Sequence, residues 1–281
     1  MATVPGPEPT AAPEGPRQVV VISHSPIFYW WPVWLAGFVM AALTYYDGYQ
    51  MALVPVGTVA ERSRVVDGHD GPRDVLVLPA NSTLPGDPDT GGPDQPRLRM
   101  AASNNLGVVW ATVLCMVVVI THIHLRGLWS VIIIMTVVFA VVLLAVLGWW
   151  DPILRAVSVI DIHINAFGYL SISLFLFVIW LVTYLVYDRQ VYMIFTRGQL
   201  RVRQAIGGGE QVFDTRGMVV EKHRDDVFRH WLLGFGSGDL TVRTAGTASK
   251  EFVMSNVLGI NRKLALINTM VQEREVIQGT V

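Results

Sequence analysis

Four stretches of this chain, residues 27–46, 105–123, 128–150 and 168–187, run for the length of a bilayer crossing with almost no charge. About 30 Å of hydrocarbon requires roughly 20 apolar residues in a helix, and backbone polar groups in lipid must be satisfied within the segment. Charged residues make up 15% of the sequence, against about 25% in soluble proteins, and the deficit is concentrated in these stretches. The expected fold class is therefore an α-helical membrane protein with four transmembrane helices, followed by a small C-terminal β domain. The first run opens on Tyr29-Trp30-Trp31-Pro32-Val33-Trp34 and closes on Tyr45-Tyr46, so aromatic rings stand at both expected interfaces. It lacks the small-residue cleavage site of a signal peptide and reads as an anchor.

Charge placement predicts an orientation. With four spans both termini share a side, and that side carries 15 Lys and Arg: Arg17, Arg126 in the short hairpin 122–127, and thirteen in residues 188–281. The opposite side carries six, and its segment 47–104 has eight acids against five bases. The positive-inside rule then places both termini and the hairpin in the cytoplasm and exports residues 47–104. Arg outnumbers Lys 18 to 3, a bias of GC-rich genomes, so the expected location is a bacterial inner membrane.

Residues 1–26, rich in Pro, Ala and Gly at the start, read as a disordered cytoplasmic tail. The exported loop 47–104 holds two apolar patches, Met51–Val59 and Val75–Leu78, suited to short strands among Asp-Gly, Pro-Gly and Gly-Gly turns. Asp151-Pro152 reads as the stop of the third span. In the connector 151–167, Ile160, Ile162 and Ile164 alternate with Asp161, His163 and Asn165, a strand or an interfacial segment with one wet face. Gly37 and Gly107 offer places where spans approach closely.

After Arg189 the period changes to two, with turn signals at Thr196-Arg-Gly198, Gly207-Gly-Gly209, Arg216-Gly217, Gly234-Phe-Gly-Ser-Gly238 and Ala245-Gly246. Six or seven short antiparallel strands are expected, then a final helix on which Leu258, Ile260, Leu264, Ile267, Met270 and Val271 recur at helical spacing. Tyr192-Met-Ile-Phe-Thr-Arg-Gly-Gln-Leu-Arg-Val-Arg203 resembles the opening hairpin of bacterial PH-like (bPH) domains. Val227-Phe-Arg-His-Trp-Leu-Leu-Gly-Phe-Gly-Ser-Gly-Asp-Leu-Thr-Val242 is similar to their middle, and Asn256-Val257 before the last helix also fits. Arg197-Gly198 stands one position from the usual arginine placement. The resemblance covers residues 190–275 and implies a cytoplasmic PH-like domain at 188–281, held beside membrane spans.

Little in the chain points to catalysis. Gly234–Asp239 lacks the Gly-x-Gly-x-x-Gly spacing and precedes a strand, so it reads as a structural turn. His122 and His124 diverge on a helix, and His163 with Asp161 lies across the expected membrane, so interfacial roles fit better than a metal site. Cys115, the only cysteine, sits in an apolar run as a small hydrophobe. The spans carry almost nothing ionisable, which argues against ion or proton coupling. The reading is a membrane-anchored binding or scaffold protein, not an enzyme, with no cofactor or metal. Its partners are the bilayer and, for the soluble domain, either a protein or anionic lipid headgroups, but not nucleic acid. The contacts are expected at Arg197, Arg201, Arg203, Lys222, Arg224 and Arg229. The alternative is a small-molecule carrier or channel regulated by the soluble domain, and assembly into a homo-oligomer is compatible with either.

Overall fold

The structure is a computed structural model and describes residues 18–86, 91–102, 105–123, 128–160, 162–204, 206–224, 226–245 and 249–278. In chain order the elements are β1 (Val19–Ile22), a tight turn Pro26–Trp30, α1 (Trp31–Asp47), β2 (Tyr49–Met51), β3 (Val59–Val65), β4 (Pro72–Val77), β5 (Leu98–Met100), α2 (Asn105–His122), α3 (Leu128–Val146), α4 (Trp150–Ser158) and α5 (Ala166–Val182). A widened turn Thr183–Tyr187 and a tight turn Asp188–Gln190 then lead into β6 (Tyr192–Phe195), β7 (Gln199–Arg203), β8 (Gln211–Asp214) and β9 (Val219–His223). A widened helical turn Phe228–Leu233 precedes β10 (Gly238–Arg243), β11 (Glu251–Val257) and α6 (Ile260–Gln278).

Among the described residues three helices are long and apolar enough to cross a membrane: Pro26–Asp47, Asn105–His122 and Ala166–Gln190. A shorter apolar helix, Val131–Val146, lies within α3. Its side chains are exposed almost throughout, from Trp129 to Leu143, and a helix apolar on every side needs lipid or other helices around it. The third apolar run ends earlier than the composition indicates. Gly148 takes a left-handed φ of 66°, which stops α3, and Trp150 opens α4. Asp151-Pro152 is consequently the start of a helix and not a stop, since a first-turn proline sacrifices no intrahelical donor. Residues 162–165 form no strand. Asp161, His124, Arg126 and residues 1–17 lie outside the described residues.

The residues fall into two compact units. One comprises 35–112 and 153–174. Here β2 pairs with β5 and β3 with β4, both antiparallel, and every residue of β3 is exposed. Such a hairpin has no core of its own, in keeping with an excursion between spans. The helical part of this unit packs through glycine. A Cβ on Gly37 would collide with the Ser173 hydroxyl and the Trp110 indole, and one on Gly107 with the backbone carbonyl of Ile162. Trp110 and Tyr169 meet edge to face at 5.9 Å.

The other unit contains the described residues of 18–34, 113–152 and 175–278. Its sheets are four-stranded, β1-β6-β7-β8, and three-stranded, β11-β10-β9, all antiparallel. Alternation places Met193, Phe195, Leu200 and Val202 of the first sheet inward, against Leu240, Val242, Phe252 and Met254 of the second. Ile260, Ile267 and Met270 of α6 complete the core, and Leu264 and Val271 pack against it, as the helical spacing predicts. One strand is unexpected. Val19–Ile22, assigned to a disordered tail by its neighbours, is an ordered edge strand in register with β6: Val19 faces Phe195 and Ile22 faces Tyr192. Val21 is fully buried, so the strand contributes to the core as well as to the ladder.

Candidate functional site: a buried polar junction

Where the apolar helices join the sheets, His24 and Asp188 are polar and buried, with Ser23 and Ser25 half-buried beside them, which needs an explanation because buried polar groups are costly unless paired. Leaving β1, the chain presents Ser23, His24 and Ser25. His24 Nδ1 lies 3.0 Å from Asp188 Oδ2, and the Ser25 N–H donates to Asp188 Oδ1 at 3.2 Å. Asp188 directly follows the turn that ends the last apolar helix. The two ends of the membrane region are thus tied together by one carboxylate. Around this pair the rings of His24, Phe28, Tyr184 and Trp180 stack at 5.2–6.0 Å, and the Trp180 Nε1–H donates to the Phe28 carbonyl.

Asn256 at the end of β11 forms the second tie. Its Oδ1 accepts from the Tyr29 hydroxyl at 2.7 Å, its Nδ2 donates to the His24 carbonyl at 2.8 Å, and its backbone N–H donates to Asp239 Oδ1 at 2.9 Å. Its φ is 58°, in the left-handed region that Asn tolerates better than most side chains. Asp239 also receives Arg229 Nη2 at 3.1 Å and faces His230 Nε2 at 3.7 Å. Burial pushes the Asp239 carboxyl up, but the His230 and Asn256 hydrogen bonds and the charges of His230 and Arg229 outweigh it. The net shift is downward.

The turn Gly234–Ser237 is closely packed and precedes a strand. A Cβ on Gly234 would meet Ser237, the Arg229 carbonyl and Tyr29, while Phe235 and Gly236 take positive φ. The widened turn before it carries Arg229 and His230 inward. A cavity of about 310 Å³ lies there, lined by His223, Asp226, Arg229, His230, Asp239, Thr241, Glu251 and Val253. Asp226 Oδ2 and Arg229 Nε are 3.8 Å apart, and neither makes a hydrogen bond among the described residues. A second cavity of about 550 Å³ reaches Arg229 from the side of His24, Asp188 and Asn256. Among the described residues no group of three His, Cys, Asp or Glu is placed to hold a metal ion.

Of the six basic residues singled out by sequence, one is buried and the others are spread over two sheets and their turns. Arg229 is buried and engaged with Asp239, so it is unsuited to meet a headgroup or partner; its place is inside the junction. Arg201 and Arg203 lie on the outer face of β7, opposite the buried Leu200 and Val202, and the Arg203 Nε–H donates to the Gly208 carbonyl. Arg197 sits in the β6–β7 turn. Lys222 belongs to the other sheet and donates to Asn261 Oδ1 at 2.9 Å. Arg224 lies against the Gly234–Gly238 turn. Sequence reasoning missed His24, Tyr29, Asp188, Asp239 and Asn256. Only the polarity of Ser23-His24-Ser25 and of Asp188, at the ends of apolar runs, signals them.

Comparison with protein-family models, curated proteins and solved structures found no match to this chain. The structure defines its class: apolar helices able to span a membrane, joined through a buried polar junction to a sheet-rich C-terminal region.

Proposed function

We propose that the chain is a membrane-anchored binding protein whose PH-like domain engages a protein partner or lipid headgroup at the cytoplasmic membrane surface. The observation that carries this reading is the ladder between β1 and β6. One strand precedes the first apolar helix and the other follows the last, so both lie on the same side of any bilayer. The number of crossings between them must be even. With Pro26–Asp47, Asn105–His122 and Ala166–Gln190 as spans, parity calls for a fourth, and α3 is the apolar helix available. A four-stranded sheet, a three-stranded sheet and a closing helix support the PH-like reading, in which the apolar helices would be inserted after the first strand.

Two attachments, at Ser25 and at Asp188, hold the domain against the membrane more tightly than a single flexible linker would. This raises its effective concentration at the surface. Helices α1, α2, α3 and α5 contain no Lys, Arg or Glu, and their Asp47 and His122 are terminal, which favours an anchoring role over coupled transport. Arg201 and Arg203, on the outer face of β7, are the contacts assigned to the partner. The test is site-specific photocrosslinking from Gln199, on the same face of β7 as both arginines, in native membranes, together with solute-flux measurements on reconstituted protein. A discrete adduct, lost on charge reversal at both arginines, with tight liposomes, is expected. A specific flux abolished by substitutions in the apolar helices would refute the reading in favour of a carrier or channel.

A further inference from the structure

The segment between β9 and β10 divides its side chains sharply. Arg229, His230 and Leu233 are buried in the junction, whereas Trp231, Leu232 and Phe235 are 70%, 47% and 69% exposed. Three large apolar side chains exposed within five residues of one turn are costly to present to water, and exposed apolar side chains grouped in this way mark a binding or membrane-contacting surface. Phe235 reaches its position from a left-handed backbone (φ 50°), a conformation unfavourable for a side chain with a Cβ. The turn is not floating. The Trp31 ring stacks on Phe235 at 5.4 Å and 28°, and the Trp31 Nε1–H donates to the Leu233 carbonyl at 3.0 Å. Trp31 is the first residue of α1, the level at which a span meets the headgroups and where Trp is enriched. A basic group accompanies the patch: Arg224 Nη2 lies 3.4 Å from where a Cβ of Gly236 would stand.

We propose that this turn is an interfacial membrane anchor. Trp231, Leu232 and Phe235 seat at the headgroup–acyl boundary of the leaflet that holds the N-terminal end of α1, and Arg224 meets the phosphate of an anionic phospholipid. Aromatic rings beside a cation are the composition that partitions to this boundary. The occupant follows from continuity, because the patch abuts Trp31, the residue with which α1 begins, near the start of the span. The inference rests on α1 being a span and deepens the proposed function by naming the lipid contact. Of the six basic residues expected to make such contacts, it assigns the lipid phosphate to Arg224 and not to the buried Arg229.

The experiment uses the full chain with Cys115→Ser, reconstituted in vesicles of phosphatidylcholine with or without phosphatidylglycerol. An environment-sensitive fluorophore is attached at Phe235→Cys, at Trp231→Cys in a separate variant, at Val39→Cys within the span, and at Lys250→Cys as an aqueous reference. Lipids carrying a nitroxide near the headgroup should quench the probes at 235 and 231 severalfold more than lipids carrying it deep in the chain. Val39 should show the reverse, and Lys250 should respond only to aqueous iodide. Arg224→Gln should remove the extra blue shift that phosphatidylglycerol gives the probe at 235. If the Val39 probe responds to lipid while those at 235 and 231 respond to iodide like Lys250, the anchor is refuted and the span stands. Shielding from both quenchers, with disulfide crosslinking between copies, refutes it in favour of a protein interface. A Val39 probe open to iodide refutes the span itself.

Discussion

Replacing Asn256 by alanine tests whether the polar junction holds the sheets to the apolar helices. The substitution leaves the backbone N–H on Asp239 in place and removes two side-chain bonds, to Tyr29 and to the His24 carbonyl. The His24 carbonyl loses its buried donor, and an orphaned buried acceptor costs about 1–3 kcal/mol. Tyr29 keeps the Ser237 hydroxyl at 3.3 Å, so its loss is smaller, about 1 kcal/mol. Alanine in the left-handed region adds roughly 1 kcal/mol. The total is about 3–5 kcal/mol. At about 4 °C or more per kcal/mol for a domain of this size, the melting temperature should fall by about 12 °C or more. Asn256→Gly loses the same hydrogen bonds without the backbone strain, and should recover about 1 kcal/mol relative to alanine. The assay is thermal unfolding of the purified chain in detergent, followed by intrinsic fluorescence. An alanine variant melting within about 2 °C of the parent, or a glycine variant below the alanine one, would refute the reasoning.

Gly107→Ala should destabilise more than Gly37→Ala in the same melt: the added methyl meets the backbone carbonyl of Ile162 in the first case and a rotatable Ser173 hydroxyl in the second. Because the folded Asp239 carboxyl titrates below its unfolded value of about 3.9, its stabilisation is complete above that pH and is lost as pH falls through the folded value. Stability measured from pH 5 down to pH 3 should therefore drop, and Asp239→Asn should flatten that part of the slope while lowering stability at neutral pH. Lys263 is pushed down by burial, so Lys263→Met should stabilise at neutral pH, with an advantage that shrinks as pH rises and the parent lysine deprotonates. Reporter fusions at Gly68 and after Val281 should read as exported and cytoplasmic respectively; matching signals would refute either α1 as a span or the even parity inferred from β1 and β6.

The apolar helices and the six strands after Arg189 are legible because their signals are local: charge-free length in one case, alternation and glycine turns in the other. The first strand is less so. Val19-Val-Val-Ile22 has strand chemistry, yet four residues beside a Pro-rich tail do not announce a partner 170 positions later. Asp151-Pro152 misleads because proline both ends and starts helices, and Gly148, two residues earlier than Trp150, decides which. Arg229 illustrates a related limit. A run of basic residues looks alike in sequence whether a side chain faces solvent or a buried Asp239, and only the widened turn at 228–233 turns this one inward. The junction residues are scattered over Ser23–Tyr29, Asp188, Arg229–Asp239 and Asn256, so no spacing could have gathered them.

The ladder between β1 and β6 has a consequence for how the protein is made. At about 5–20 residues per second, roughly 10–30 s of synthesis separates the emergence of Ile22 from that of Tyr192. Throughout that interval the first strand has no partner. In the proposed four-span topology its apolar edge waits while the intervening helices enter the membrane, so closure of the sheet would report an even number of crossings. A chain that skipped one crossing would deliver β6 to the far side of the bilayer and leave Val21 and Met193 uncovered.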